Sequence, residues 1–177
     1  MRSLIFALAF MFPVAAFAAG SSDDAPPVKT NTTKVCKDGK VWDKKKKACA
    51  NPKKASLDDD TLYQAVREFA YDGQYKQALN VLAAMSDQTE SRVLTYYGFA
   101  NRKAGRVTLG MQYYNAALQA DPDNLLARSY MGQGFVASGD LDAARVQLAE
   151  IEARGGQNSW PETSLRKAIE TGRTYSY

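Results

Sequence analysis

A spacing of 34 residues recurs through the second half of this chain, and it constrains the fold more than any other feature. Gly105 and Gly139 are 34 apart, as are Gly98 and Gly132, and Gly110 and Ala144. Gly73 precedes Gly105 by 32, so the first joint is two residues short of the regular step. Between these marks the apolar residues recur every three or four positions, the spacing of an amphipathic helix rather than a strand. Leu62, Ala65, Val66, Phe69 and Ala70 share one face; Ala78, Leu79, Leu82 and Met85 share the next. The same reading predicts helices over 91–103, 107–120, 125–137 and 141–153, with glycine at the joints, where a left-handed backbone angle closes a tight turn. Two helices per 34-residue unit means that each unit buries its apolar face against its neighbours.

With these residues in place the chain resembles the tetratricopeptide repeat (TPR) family. The second unit fits best, through Leu94, Tyr97, Gly98, Gly110, Tyr114, Ala117 and Pro122. The third shows Met131, Gly132, Phe135, Ala144 and Leu148; the first shows Leu62, Phe69, Ala78 and Leu82, with Val66 where the family has a small residue. Asn101 departs from the usual aromatic. The resemblance covers about residues 59–153 and implies an all-α, right-handed solenoid of about three helical hairpins. Glycine inside a helix costs up to about 1 kcal/mol, which is tolerable at Gly98 and Gly132 if backbones must approach closely there. Ala78, Ala117 and Ala144 fill the same role on second helices. Tyr97, Tyr114, Phe135 and Leu148 are expected to wedge between helices. A row of repeats needs a polar end cap, and Ser159-Trp160-Pro161-Glu162 reads as the start of one. The repeat domain is therefore placed at 57–171, opened by Ser56-x-x-Asp59 as a capping box, with a polar tail over 172–177.

The N-terminal third is different. Arg2, the apolar run 4–17 and Ala16-Phe17-Ala18 read as a cleaved signal peptide over 1–18, so export to the periplasm is expected, with full secretion left open. Residues 19–33 are small, polar and proline-containing, as in a flexible linker. Residues 34–54 carry nine lysines and two aspartates, a net of +7, whereas residues 62–177 balance twelve basic against twelve acidic groups. The basicity thus belongs to one short segment, which with export argues against a nucleic-acid partner. Within it, Cys36 and Cys49 are the only cysteines, and in an exported chain a disulfide between them is expected. Asp38-Gly39 marks a turn. Trp42 with Lys44, Lys45, Lys46 and Lys47 reads either as a contact for an anionic lipid or glycan surface or as a lone core residue with a solvated rim.

No histidine is present, and no nucleotide-binding loop or serine-nucleophile motif stands in a supporting context. Ser164-Leu165-Arg166-Lys167 spells S-x-x-K without its companion motifs. The expectation is a chain without enzymatic activity, metal or cofactor. The TPR resemblance implies that first helices line a concave face that grips a peptide. Transferred residue by residue, it selects Tyr63 and Arg67; Tyr96, Phe99, Arg102 and Lys103; and Tyr130 and Gln133, with Val136 beside them. These are expected to be partly exposed and to suit an extended or helical segment of acidic character, such as part of an envelope protein. Self-association through the repeats is the remaining alternative.

Overall fold

The computed structural model describes residues 26–174. The expected signal peptide, the first seven residues of the expected linker and the last three of the expected tail lie outside these residues. An all-α domain carries the chain, preceded by a small β-hairpin. The helices are α1 (Asn31–Lys34), α2 (Asp59–Tyr71), α3 (Tyr75–Leu82), α4 (Ser91–Lys103), α5 (Val107–Ala120), α6 (Leu125–Ser138), α7 (Leu141–Ala153) and α8 (Trp160–Thr171). The two strands are β1 (Val41–Asp43) and β2 (Ala48–Ala50), antiparallel, with Trp42 opposite Cys49. Among the described residues no helix is long and apolar enough to cross a membrane.

The helices form where the apolar spacing places them, and their ends follow from local chemistry. Asp58, Asn124, Asp140 and Ser159 each accept a first-turn amide into the side chain, satisfying a donor that the helix leaves unpaired. The cap of α2 is Asp58, not Ser56. Gly73, Gly105 and Gly139 close the three hairpins at φ of 75°, 85° and 82°, a region costly for any residue with a Cβ. Within each hairpin α2 packs on α3, α4 on α5 and α6 on α7, and successive units meet through α3 on α4, α5 on α6 and α7 on α8. The first helices also touch in a row, α2 on α4, α4 on α6 and α6 on α8. One core joins α2 through α6; a second, built from Val136, Ala144, Ile151, Leu165 and Ala168, seats α8. The outer residues of α8, Thr163, Arg166, Lys167 and Glu170, are exposed and polar, as an end cap requires.

From Thr30 onward the segment before α2 is docked on the helical domain. The Glu68 carboxylate on α2 accepts hydrogen bonds from the Thr30 amide at 2.6 Å, the Thr30 hydroxyl at 2.6 Å, the Thr33 amide at 3.0 Å and the Thr33 hydroxyl. Val41 is 1 % exposed and belongs to the main core. Gly39 sits against Gln77 of α3, where a Cβ would lie 3.2 Å from that side chain. Cys36 and Cys49 are bonded, with Cα atoms 5.5 Å apart. Removing this bond by Cys36→Ser/Cys49→Ser is expected to lower stability by about 2 kcal/mol, at the low end for a native disulfide, because Val41 and Glu68 still hold the hairpin. A lower urea midpoint with an unchanged helical circular dichroism signal checks this; loss of the helical signal would contradict it.

Candidate functional site

The first turns of α4 and α6 are locked together by side chains. Ser91 Oγ donates to the carbonyl of Ala117 at 2.9 Å, and Asn124 Nδ2 donates to Ser91 Oγ at 2.7 Å and Thr95 Oγ1 at 3.1 Å. The loop before α6 is pinned from behind, because the Arg128 and Arg154 guanidiniums both donate to the carbonyl of Pro122. Arg154 also pairs with Asp123 at 3.2 Å. In front of this fixed frame lies a cleft of about 580 Å³. Tyr63, Leu125 and Leu126 supply apolar lining, and Glu90, Asp121 and Asp123 bring three carboxylates to it.

Arg154 meets Asp123 from behind, and Arg92 faces the cleft from the side of α4. Arg92 lies with its guanidinium 4.8 Å from the Tyr63 ring centroid, pairs with Asp60 at 2.8 Å and pairs with Glu90 at 2.5 Å. Burial works against its charge, but Asp60 and Glu90 outweigh that and hold its pKa above the ordinary guanidinium value. Arg92 is thus engaged within the protein, and the cleft presents a net negative rim to an incoming group. Among the described residues no cluster could hold a metal ion, and Ser164 is buried with its hydroxyl against Ser129 and the carbonyl of Pro161.

Most of the residues expected to line a concave face are buried. Tyr96 is 1 % exposed, Tyr130 2 %, Arg67 3 % and Arg102 7 %; Tyr63, Phe99, Gln133 and Val136 are buried too. The reason is the close approach of the first helices, which interleaves the side chains on their shared face. Tyr63 meets Tyr96 edge-on at 5.6 Å, Tyr96 meets Tyr130 edge-on at 6.0 Å, and Phe99 lies 4.7 Å from Tyr130. The hydroxyls of Tyr71 and Tyr130 are hydrogen-bonded, with Tyr96 Oη 3.5 Å from Tyr130 Oη. Burial pushes the Tyr96 and Tyr130 phenols well above 10.0, so they stay neutral at physiological pH. Arg67 donates to Gln64 at 2.9 Å, Arg102 donates to Tyr114 Oη at 3.3 Å, and Gln133 Nε2 lies 3.4 Å from Ser129 Oγ. Lys103 is half-buried, and burial together with Arg102 pushes its ammonium pKa down. Of these residues only Tyr63 reaches the cleft.

In the sequence, Asp121-Pro122-Asp123-Asn124 spells a helix stop followed by a cap, a pattern that marks the rim of the cleft only as a turn. Arg92 carried one further signal: it sits a helical turn before Tyr96.

The basic hairpin presents a second surface. The buried Asp43 carboxylate accepts the amides of Lys45 at 2.9 Å and Lys46 at 3.0 Å, which fixes the turn. Lys44, Lys45, Lys46 and Lys47 are all exposed. Trp42 is half-buried beside a cavity of about 190 Å³ that it shares with Thr30, Lys44, Asp60, Gln64 and Glu68. Compared with protein-family models, with curated proteins and with solved structures, the chain matches none.

Proposed function

We propose that this protein is an exported, non-enzymatic scaffold of TPR type that holds a polypeptide in the cleft at the first turns of α4 and α6. The observation that carries this reading is the cleft itself: apolar side chains and carboxylates on a frame held by partly buried hydrogen bonds, so little ordering remains to be done on binding. The 34-residue step, the hairpins packed in chain order and the polar α8 support the repeat assignment. The leader and the Cys36–Cys49 bond support a periplasmic location.

The charge of the expected partner changes with the residues. The arginines thought to favour an acidic segment, Arg67 and Arg102, are buried, and Glu90, Asp121 and Asp123 stand at the cleft instead. A segment with lysine or arginine beside an apolar residue fits better. Random peptides selected on the purified protein are expected to be basic, and Glu90→Lys/Asp121→Lys is expected to weaken their binding at least about tenfold. Enrichment of acidic peptides, or binding untouched by the double variant, would end the assignment.

The fixed turn of four exposed lysines favours a second reading, attachment to an anionic lipid or glycan surface. It is the weaker of the two, because Trp42 is half-buried against α2 and leaves the lysines to make that contact with little aromatic help.

A further inference from the structure

The two strongest charge features of this protein have opposite sign and lie along one edge of the row of first helices. Lys44 shares a small cavity with Asp60; Asp60 holds Arg92; and Arg92 lines the large cleft with Glu90, Asp121 and Asp123. The edge therefore runs from a positive turn, past the start of α2, to a negative cleft. The turn does not occupy the cleft of its own chain. Its hairpin is anchored on the main core through Val41 and on α1 through the Thr32 hydroxyl, which accepts the Trp42 amide at 3.2 Å, and the four lysines remain exposed.

We infer that the occupant of the cleft is the Lys44–Lys47 turn of a second copy of this chain. This rests on the polypeptide-binding reading above and names its partner. Charge complementarity carries it: four exposed lysines on one surface, and on the other three carboxylates that stay net negative with Arg92 paired to Glu90 and Arg154 to Asp123. Both surfaces are on one edge, so a two-fold rotation places each turn against the other copy's cleft and closes the assembly as a dimer. Both are held rigid, the turn by Asp43 and the cleft by Asn124, Arg128 and Arg154, so docking orders little beyond the lysine side chains. Contacts between solvent-facing charges are individually weak and sensitive to salt, so the pairing is reversible and falls with ionic strength.

Sedimentation equilibrium of the purified, oxidised protein tests this directly. The wild type is expected to pair at low salt and to lose at least about tenfold in association constant between about 50 mM and about 500 mM sodium chloride. Lys44→Glu/Lys45→Glu/Lys46→Glu/Lys47→Glu and Glu90→Lys/Asp121→Lys/Asp123→Lys are each expected to be monomeric alone. Mixed, they are expected to form a one-to-one dimer, since both contacts are complementary again. A strictly monomeric wild type, a dimer indifferent to the lysine changes, or a mixture that stays monomeric would overturn the inference. Binding of an oligolysine peptide separates the two levels. A monomeric wild type that binds oligolysine and loses it with the cleft variant keeps the polypeptide-binding reading without the second copy. No oligolysine binding and no dimer removes both.

Discussion

Truncating Tyr130 to alanine is expected to lower the free energy of unfolding by about 3–5 kcal/mol, the range for removing a large aromatic from a packed core. Tyr130 is 2 % exposed and stands where α2, α4 and α6 meet: its ring lies against Tyr96 and Phe99 of α4, and its hydroxyl is bonded to Tyr71 of α2. Alanine would vacate a space bounded by three helices, and none can close in without dragging the other two. Domains of this size are stable by only about 5–15 kcal/mol, so the loss takes a large part of the total. Tyr130→Phe keeps the ring and removes only the hydroxyl and its bond to Tyr71; about 1–2 kcal/mol is expected there. Urea titration followed by circular dichroism measures both. A loss below about 1 kcal/mol for the alanine variant would mean that the face is not packed. That would return Tyr96, Phe99 and Tyr130 to the role of ligand contacts.

The same three residues show where sequence reasoning stops. Spacing alone located the helices, because an amphipathic stripe is a property of one segment and its neighbours in the chain. It also marked Asp38-Gly39 as a turn, and both residues adopt positive φ. How much of a helix surface is covered is a different question. Each internal first helix here has a hairpin partner and a first helix on either flank, so side chains that lie beside the apolar stripe are covered as well. Tyrosine and arginine at such positions look like ligand contacts in a sequence and are core residues in the fold. Tyr97, expected as a wedge, packs on the main core while only partly buried, with its ring stacked on Tyr113 at 5.1 Å. The polar stretch before Cys36 gave no sign of docking, because its anchor, Glu68, is 35 or more residues away. The acidic cleft was hidden by a net charge of zero over the repeats and by the alternative use of Asp121, Asp123 and Asn124 as turn and cap residues.

The two glycines set 34 apart inside first helices are expected to respond differently to the same change. Intrinsic propensity predicts that alanine in place of either gains up to about 1 kcal/mol. At Gly98 packing reverses the sign: a Cβ would lie 2.5 Å from Cδ1 and Cε1 of Tyr114 and 3.1 Å from the carbonyl oxygen of Gly110. The Tyr114 ring is fully buried and its hydroxyl accepts a hydrogen bond from Arg102, so it has nowhere to swing. Gly110 is itself in close contact across the same crossing, where its own Cβ would meet the Gly98 carbonyl oxygen at 2.8 Å. Gly98→Ala therefore forces α4 away from α5 and is expected to destabilise, and the bulkier Gly98→Val to cost about 3 kcal/mol or more. At Gly132 a Cβ meets the two methyl ends of Leu165 at 2.7 Å and the Gln147 Cβ at 3.3 Å; Leu165 is as buried as Tyr114, but these are the tips of a flexible aliphatic side chain rather than a rigid ring and a backbone carbonyl. Gly132→Ala is expected to stay within about 1 kcal/mol of the parent. Equal losses at the two sites, or a gain at Gly98, would show that the α4–α5 crossing is looser than these contacts require.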